Sequence, residues 1–420
     1  CTVVDLKGEL IDLTMALFLL MAPHLRPRPE DVVTLSPGAG YGLPLNPLVP
    51  IVGMEESTQA AAVVDLLDGL GSEPFGPRMA NVARWLVRAI MEMEGSLLDV
   101  HRMLIDDEFA GRVAEHIKNP DVRTYLQRTF AKERMESKEA LRARIENLLA
   151  IKAAKQMLCA EGCIAPSELL TSRLSLVNLA IGGLGGTRAA KFIGNWVVTL
   201  LTAAVFARSS TERGQHTYVV IDEWQELVRV AADDLESILS KARSTGVSLT
   251  LINQYSSQVR ATSPALWDGI RANTVLEVLF GPNAQDIASI EATLPITGRM
   301  RDPARPDRLL SEETERKKLL HFLKNLKPGE ALFVNRHADT PAEVITTLNV
   351  PAAEALGAWR RLPPAIQHAW RRGKYGQKLD DLAPAHIRFR EPDATAPVTP
   401  ATTRTTTARF PRRTGKLVLS

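Results

Sequence analysis

The sequence predicts an α/β protein: a mostly parallel sheet flanked by helices, with an inserted all-α domain and a disordered basic tail. Three observations carry this. Short apolar, β-branched runs such as Thr2-Val3-Val4-Asp5 and Tyr218-Val219-Val220-Ile221 end in polar residues and alternate with helical stretches, the pattern of a sheet covered on both faces. Between about Glu55 and Pro166 strand texture gives way to helical periodicity. Residues 392–420 are rich in Pro, Thr and Ala, too poor in apolar surface to order themselves.

In chain order, residues 2–5 predict a buried strand, Leu10 to Met21 a helix, and Asp31 to Leu35 a second strand. A Gly- and Pro-rich loop follows, ending in Leu45-Asn46-Pro47-Leu48. The helical block carries an apolar stripe at Ala80, Ala83, Leu86, Val87 and Ile90. Residues 132–160 alternate in charge, with Leu141, Ile145, Leu148 and Lys152 on one side, which predicts one long helix. Strands are expected at Leu174–Leu179, Tyr218–Ile221, Val247–Ile252, Val275–Phe280 and Ala331–Asn335. Helices are expected at 187–208, 232–245 and 284–293. A helical stretch, Ala352 to Arg372, precedes the tail. The predicted division is 1–54 and 167–350 for the α/β core, 55–166 for the insertion, 351–391 for a helical extension and 392–420 for the tail.

The chain has 420 residues, enough for two or three domains, and three cysteines, Cys1, Cys159 and Cys163. That excludes a disulfide scaffold and favours a reducing compartment. Cys159 and Cys163 lack the further ligands of a zinc site. Charge is uneven. Residues 351–420 hold 13 Lys/Arg against 5 Asp/Glu, net +8, and the remainder holds 38 against 43, net −5. A basic tail suits nucleic acid or an anionic membrane surface, and equally a solvated spacer. The longest apolar run, Leu13 to Ala22, has ten residues, against about 20 for a membrane span.

The strand ending in Asp222-Glu223 delivers two carboxylates to the sheet edge where open α/β proteins bind ligands. Asp222 there can hold Mg2+ through its water shell, and Glu223 can take a proton from a water attacking a phosphate. The alternative is that the pair caps the next helix. The next strand ends in Asn253-Gln254 at the same edge, where Gln254 can sense a terminal phosphate or stand as a surface residue. Arg243, near the end of the intervening helix, reads as an arginine finger or as a helix-dipole partner. A phosphate loop, G-x-x-x-x-G-K-[ST], does not occur. Gly182 to Gly186 is followed by Thr187-Arg188 and reads as a tight strand-to-helix turn. The chain opens at Cys1 directly into a strand, so the phosphate loop is expected upstream of it.

This order of segments resembles the TraG/TraD-like coupling ATPases of type IV secretion and conjugative DNA transfer, within the HerA/FtsK superfamily of P-loop (RecA-like) ATPases. The carrying residues are Val3-Val4-Asp5-Leu6-Lys7-Gly8-Glu9-Leu10, Leu45-Asn46-Pro47-Leu48, Leu176-Val177-Asn178-Leu179, Val219 to Glu223 as Walker B, Ala242 to Ser248 leading to Gln254, and Leu326 to Ala331. Trp224 stands where Phe is more usual. The resemblance implies a hexamer with ATP between subunits and DNA in a central channel. Asp222 would hold Mg2+, Glu223 would activate water, Gln254 would sense the γ-phosphate, Arg243 would act in trans, and Asp5 would lie near the nucleotide. It also implies a relaxase and secretion-channel proteins as partners, an N-terminal membrane anchor upstream, and a place at the cytoplasmic face of the bacterial inner membrane. Two alternatives share the fold: a soluble HerA-like DNA translocase in repair or phage defence, and a catalytically inactive adaptor.

Overall fold

In a computed structural model the described residues are 1–71, 73–208, 216–254, 256–281, 294, 296–338 and 342–389. Residues 1–387 form one compact unit. The expected helix at 284–293 and the tail lie outside the described residues.

Five parallel strands make the main sheet. They are β1 (Thr2–Asp5), β2 (Val32–Leu35), β4 (Leu174–Asn178), β5 (Thr217–Asp222) and β6 (Val247–Ile252), in the order β2-β4-β1-β5-β6. Their apolar runs are the reason: β1, β2 and most of β4 are buried throughout, as strands covered on both faces must be. β3 (Tyr41–Gly42) lies apart. The connections are helical: α1 (Glu9–Phe18) after β1, then α2 (Glu56–Asp68), α3 (Pro77–Glu92), α4 (Leu97–Ile105), α5 (Asp107–His116), α6 (Pro120–Arg128), α7 (Met135–Leu149), α8 (Lys152–Leu158) and α9 (Pro166–Thr171) before β4. After β4 come a short turn of helix, α10 (Ile181–Leu184), and α11 (Thr187–Ala207), and α12 (Val228–Thr245) joins β5 to β6.

The expected single helix over 132–160 is two, α7 and α8, broken at Ala150-Ile151. The buried stripe of α7 is Leu141, Ile145 and Leu148, and that of α8 is Ala153, Ala154, Met157 and Leu158. From Leu148 to Met157 is nine residues, about two and a half helical turns. One straight helix would therefore point the two stripes opposite ways. The Asn-Pro-Leu loop fastens the helical block. Buried Asn46 donates to the carbonyls of Gly95 and Ala160 at 3.1 and 3.2 Å and accepts the Leu48 N–H at 3.0 Å. Gln59 bonds Pro47 and Val49 of the same loop.

α11 is long and apolar enough to cross a membrane by length and composition, which the reading of apolar runs missed because Asn195, Thr199 and Thr202 interrupt it. In the fold it is a core helix, packed on α9 and α12, with Trp196 fully buried.

β7 (Leu276–Phe280) and β10 (Glu330–Asn335), expected as strands of the core, lie outside the parallel sheet. With β11 (Ala342–Thr346) they form an antiparallel sheet of their own, β11-β10-β7. They follow α13 (Ser256–Thr262) and α14 (Pro264–Asn273) and flank the hairpin β8 (Arg301–Asp302) and β9 (Arg305–Leu309) and helix α15 (Glu312–Lys324). α15 buries Leu319 and Leu323 against Leu332 and Val334 of β10.

The C-terminal stretch is two helices, α16 (Ala352–Arg360) and α17 (Pro364–Arg372), split at Pro363-Pro364, where proline cannot continue a helix. They are core elements. Ala355, Trp359 and Trp370 pack with Val3, Ile11, Met15, Val32 and Leu176. Beyond α17, Lys374 N–H donates to Val32 O at 2.7 Å, before the short strand β12 (Gln377–Lys378) pairs with β3. Gly373 makes this approach possible. Its φ is 61°, and a Cβ there would stand 2.5 Å from the Val32 carbonyl oxygen. Gly373→Ala is expected to cost at least about 1–2 kcal/mol, since left-handed backbone and a rigid neighbour both oppose it. A lowered urea midpoint at unchanged slope would register this.

Candidate active site

The parallel register sets the site. Asn178, Asp5 and Asp222 lie side by side across β4, β1 and β5, and Asp222 pairs with Ile252 of β6. β1, β4 and β5 each run through apolar residues into a polar last one, Asp5, Asn178 and Asp222, which falls at the carboxyl edge of the sheet, where such folds bind ligands.

Asp5 is fully buried, and its carboxylate is engaged by backbone. Oδ1 accepts the N–H groups of Lys7 and Gly8, both at 2.8 Å, and Oδ2 those of Leu10 and Ile11, at 2.7 and 3.3 Å. It caps the start of α1. Gly8 lets the turn close: its φ is 85°, and a Cβ would meet Asn178 Oδ1 and Ala180 Cβ at 2.7 Å. Asp5 therefore shapes the edge by fixing the β1–α1 turn, and its own oxygens are already spent.

Asp222 accepts the Glu223 N–H at 3.0 Å. Burial pushes its carboxyl above the usual range, and the charges of Asp5 and Glu223 add to the shift. Glu223 has φ 52° and ψ 35°, a left-handed conformation rare for a side-chain-bearing residue. Such strain collects at functional positions. Its carboxylate is mostly buried and held at both oxygens. Lys7 Nζ lies 2.5 Å from Oε1, and Gln225 Nε2 donates to Oε2 at 2.5 Å.

The donor chemistry fits a hydrated divalent cation rather than a directly caged one. Among the described residues no group of three or more His, Cys, Asp or Glu side chains is arranged to ligate a metal. Glu223 nevertheless pairs with the Lys7 ammonium and Asp222 lies within its field, and the raised Asp222 is the carboxylate that a cation would relieve.

Gln254 lies two residues beyond Ile252, exposed, at the same edge as Asp222 and Glu223. Trp224 helps align the two strand ends: it is buried, and its Nε1 donates to Asn253 Oδ1 at 3.4 Å. Arg243 is not brought to this edge. It lies on α12, which leaves the carboxyl end of β5 and returns to the amino end of β6, and it sits four residues before that strand. An 18-residue helix is about 27 Å long. The chain thus separates Arg243 from its own Glu223. The Gly182–Gly186 segment is a turn of helix followed by left-handed Gly185 and does not form a phosphate cradle; Gly183 packs backbone to backbone on Gly38. The sequence reading gave no role to Lys7 or Gln225. Lys7 stands within the Val3-to-Leu10 segment, but its partner lies 216 residues away.

Comparison with known proteins adds the following. Residues 216–293 match a family described as the TraM recognition site of TraD and TraG. The match covers β5, α12, β6 and the elements through β7, and it bears out the TraG/TraD-like resemblance read from the motif order. No curated protein matches the chain. Solved structures with similarity include plasmid coupling protein TrwB in complex with ADP and Mg2+, at 13% identity over 84% of this chain and 87% of that one, TM-score 0.48. VirB4 of Thermoanaerobacter pseudethanolicus is similar at 15% identity over 84% and 90%, TM-score 0.49. The unbound bacterial conjugative coupling protein TrwBdeltaN70 is similar at 14% over 83% and 84%, TM-score 0.45.

Proposed function

We propose that this TraG/TraD-like chain is the ATP-hydrolysing motor part of a coupling protein, moving DNA toward a secretion or conjugation channel. The observation that supports it most is the carboxyl edge of β5: strained, buried Glu223 beside raised Asp222, with Gln254 at the end of the adjacent strand.

The roles follow from chemistry. Mg2+, bound with ATP, would neutralise charge on the phosphates, and Asp222 would hold it through water. Glu223 takes one proton of the attacking water as its oxygen bonds to the terminal phosphorus and the bond to the leaving diphosphate breaks. The proton then passes to the released phosphate. Gln254 orients that water or meets the terminal phosphate. Arg243, at the opposite sheet edge of its own chain, serves a neighbouring subunit's nucleotide in a ring, which the arginine-finger reading requires. We assign the helices of 55–166 to an inserted domain, and residues 1–54 and 167–350 to the motor core. The protein would act at the cytoplasmic face of the bacterial inner membrane. Its partners would be DNA, a relaxase, a TraM-type accessory protein and the secretion channel.

DNA contact by such a motor is mostly to phosphate. Hydrolysis by the full-length protein is expected to rise on adding DNA of any sequence at low salt. DNA affinity is expected to fall steeply as salt rises, with a logarithmic slope of about −0.7 to −0.9 per phosphate contact. Hydrolysis indifferent to DNA at low salt contradicts the motor reading and favours an adaptor of the same fold.

A further inference from the structure

Lys7 is placed as a switch rather than as a bystander. The backbone of its turn is fixed, because Asp5 binds the N–H groups of Lys7 and Gly8 and Gly8 packs on Asn178. The side chain is the free part: it is 47% exposed, whereas the Glu223 side chain it reaches is 10% exposed. The ammonium sits on Oε1, and the Gln225 amide on Oε2. A general base must have an oxygen within reach of the water it deprotonates. Here one oxygen faces an ammonium, the other an amide, and a proton taken by Glu223 would annul the ion pair. The observed arrangement is therefore an idle one. It is also easily undone at one end, since Lys7 is a flexible point charge at the edge where phosphates would arrive.

We propose that Lys7 is a latch on Glu223 that exchanges partners with the terminal phosphate of a bound nucleoside triphosphate. Without that phosphate, Lys7 pairs with Glu223 and holds it idle. With it, the ammonium moves to the phosphate oxygens, which carry more charge than a single carboxylate, and Glu223 is free to turn toward water. A nucleoside diphosphate lacks the terminal group and leaves the latch closed. Lys7 is in this sense a positioning residue, acting on hydrolysis through Glu223. The inference rests on the proposed role of Glu223, and its test does not depend on turnover.

The measurement is the affinity of the full-length protein for a non-hydrolysable ATP analogue and for ADP, in four forms: wild type, Lys7→Ala, Glu223→Gln and the double variant. Lys7→Ala is expected to weaken the analogue about tenfold or more, the low end for one charge-assisted hydrogen bond, and to leave ADP unchanged. Glu223→Gln removes the competing carboxylate and is expected to tighten the analogue severalfold, again with ADP unchanged. The double variant is expected to bind like Lys7→Ala, because without the ammonium the carboxylate has nothing to compete for. Lys7→Arg is expected to retain most of the wild-type preference. Equal effects of Lys7→Ala on both nucleotides would make Lys7 merely structural and overturn the latch, as would no effect on either or a wild type that binds no triphosphate. The two claims separate cleanly: expected affinities together with wild-type hydrolysis by Glu223→Gln would keep the latch and discard Glu223 as the base.

Discussion

Glu223→Gln is expected to abolish ATP hydrolysis while sparing nucleotide binding. A positioned general base contributes about 10²–10⁴-fold to a rate, and the amide is isosteric but cannot take the proton. The fold tolerates the change for a visible reason. Glu223's backbone makes the turn, with its carbonyl accepting the Glu226 N–H at 3.0 Å and its N–H donating to Asp222. Neither bond involves the side chain that is altered. Single-turnover hydrolysis with pre-bound ATP separates binding from chemistry. A variant within threefold of wild type would remove Glu223 from the reaction and leave its left-handed backbone as the cap of the short 3-10 turn Trp224–Glu226 that precedes α12.

Trp359→Ala is expected to destabilise the whole α/β core, by about 3–5 kcal/mol. Trp359 is 2% exposed and shares one cluster with Val3, Ile11, Met15 and Leu176, so its removal opens a cavity under β1 and β4 rather than at a chain end. Its indole Nε1 has no hydrogen-bond partner among the described residues. The ring's burial therefore carries the effect, and Trp359→Phe, which keeps one aromatic ring and leaves a smaller cavity, should cost less, about 1–3 kcal/mol. Urea unfolding of the three proteins, followed by a probe of the sheet, checks both numbers. An unchanged midpoint for Trp359→Ala would mean that α16 is not part of the core.

The parallel sheet was legible because its strands are short, apolar-rich runs, most clearly the β-branched ones of β1, β2 and β5, and Val247–Ile252 has the predicted ends. The site edge followed from it, since a polar residue ending such a run must emerge at the strand's carboxyl end. Asp222, Glu223 and Gln254 were found that way. Other features were hidden for identifiable reasons. Helix α15 begins Glu312-Glu313-Thr314-Glu315-Arg316-Lys317-Lys318 and shows few apolar residues, because it rests on the small sheet by a narrow face. Its Glu315 is nevertheless buried, accepting the Thr297 and Gly298 N–H groups at 2.8 and 2.9 Å, which no periodicity announces. The place of α16 and α17 in the core depends on where Trp359 and Trp370 land, and Trp370 stacks on Phe18, 352 positions earlier, at 6.3 Å. The split of β7, β10 and β11 into a second sheet is a matter of pairing direction, which strand propensity does not encode. The Lys7–Glu223 pair belongs to the same class: both residues stood in motifs, and only the β1–β5 register brings them together.

The most direct test of the central claim, that Glu223 and its edge drive movement along DNA, is displacement of streptavidin from biotinylated DNA by the full-length protein. The account predicts displacement that requires ATP and Mg2+, proceeds on DNA of any sequence, and is lost in Glu223→Gln although DNA binding remains. ATP hydrolysis without displacement, or displacement undiminished in Glu223→Gln, would contradict it.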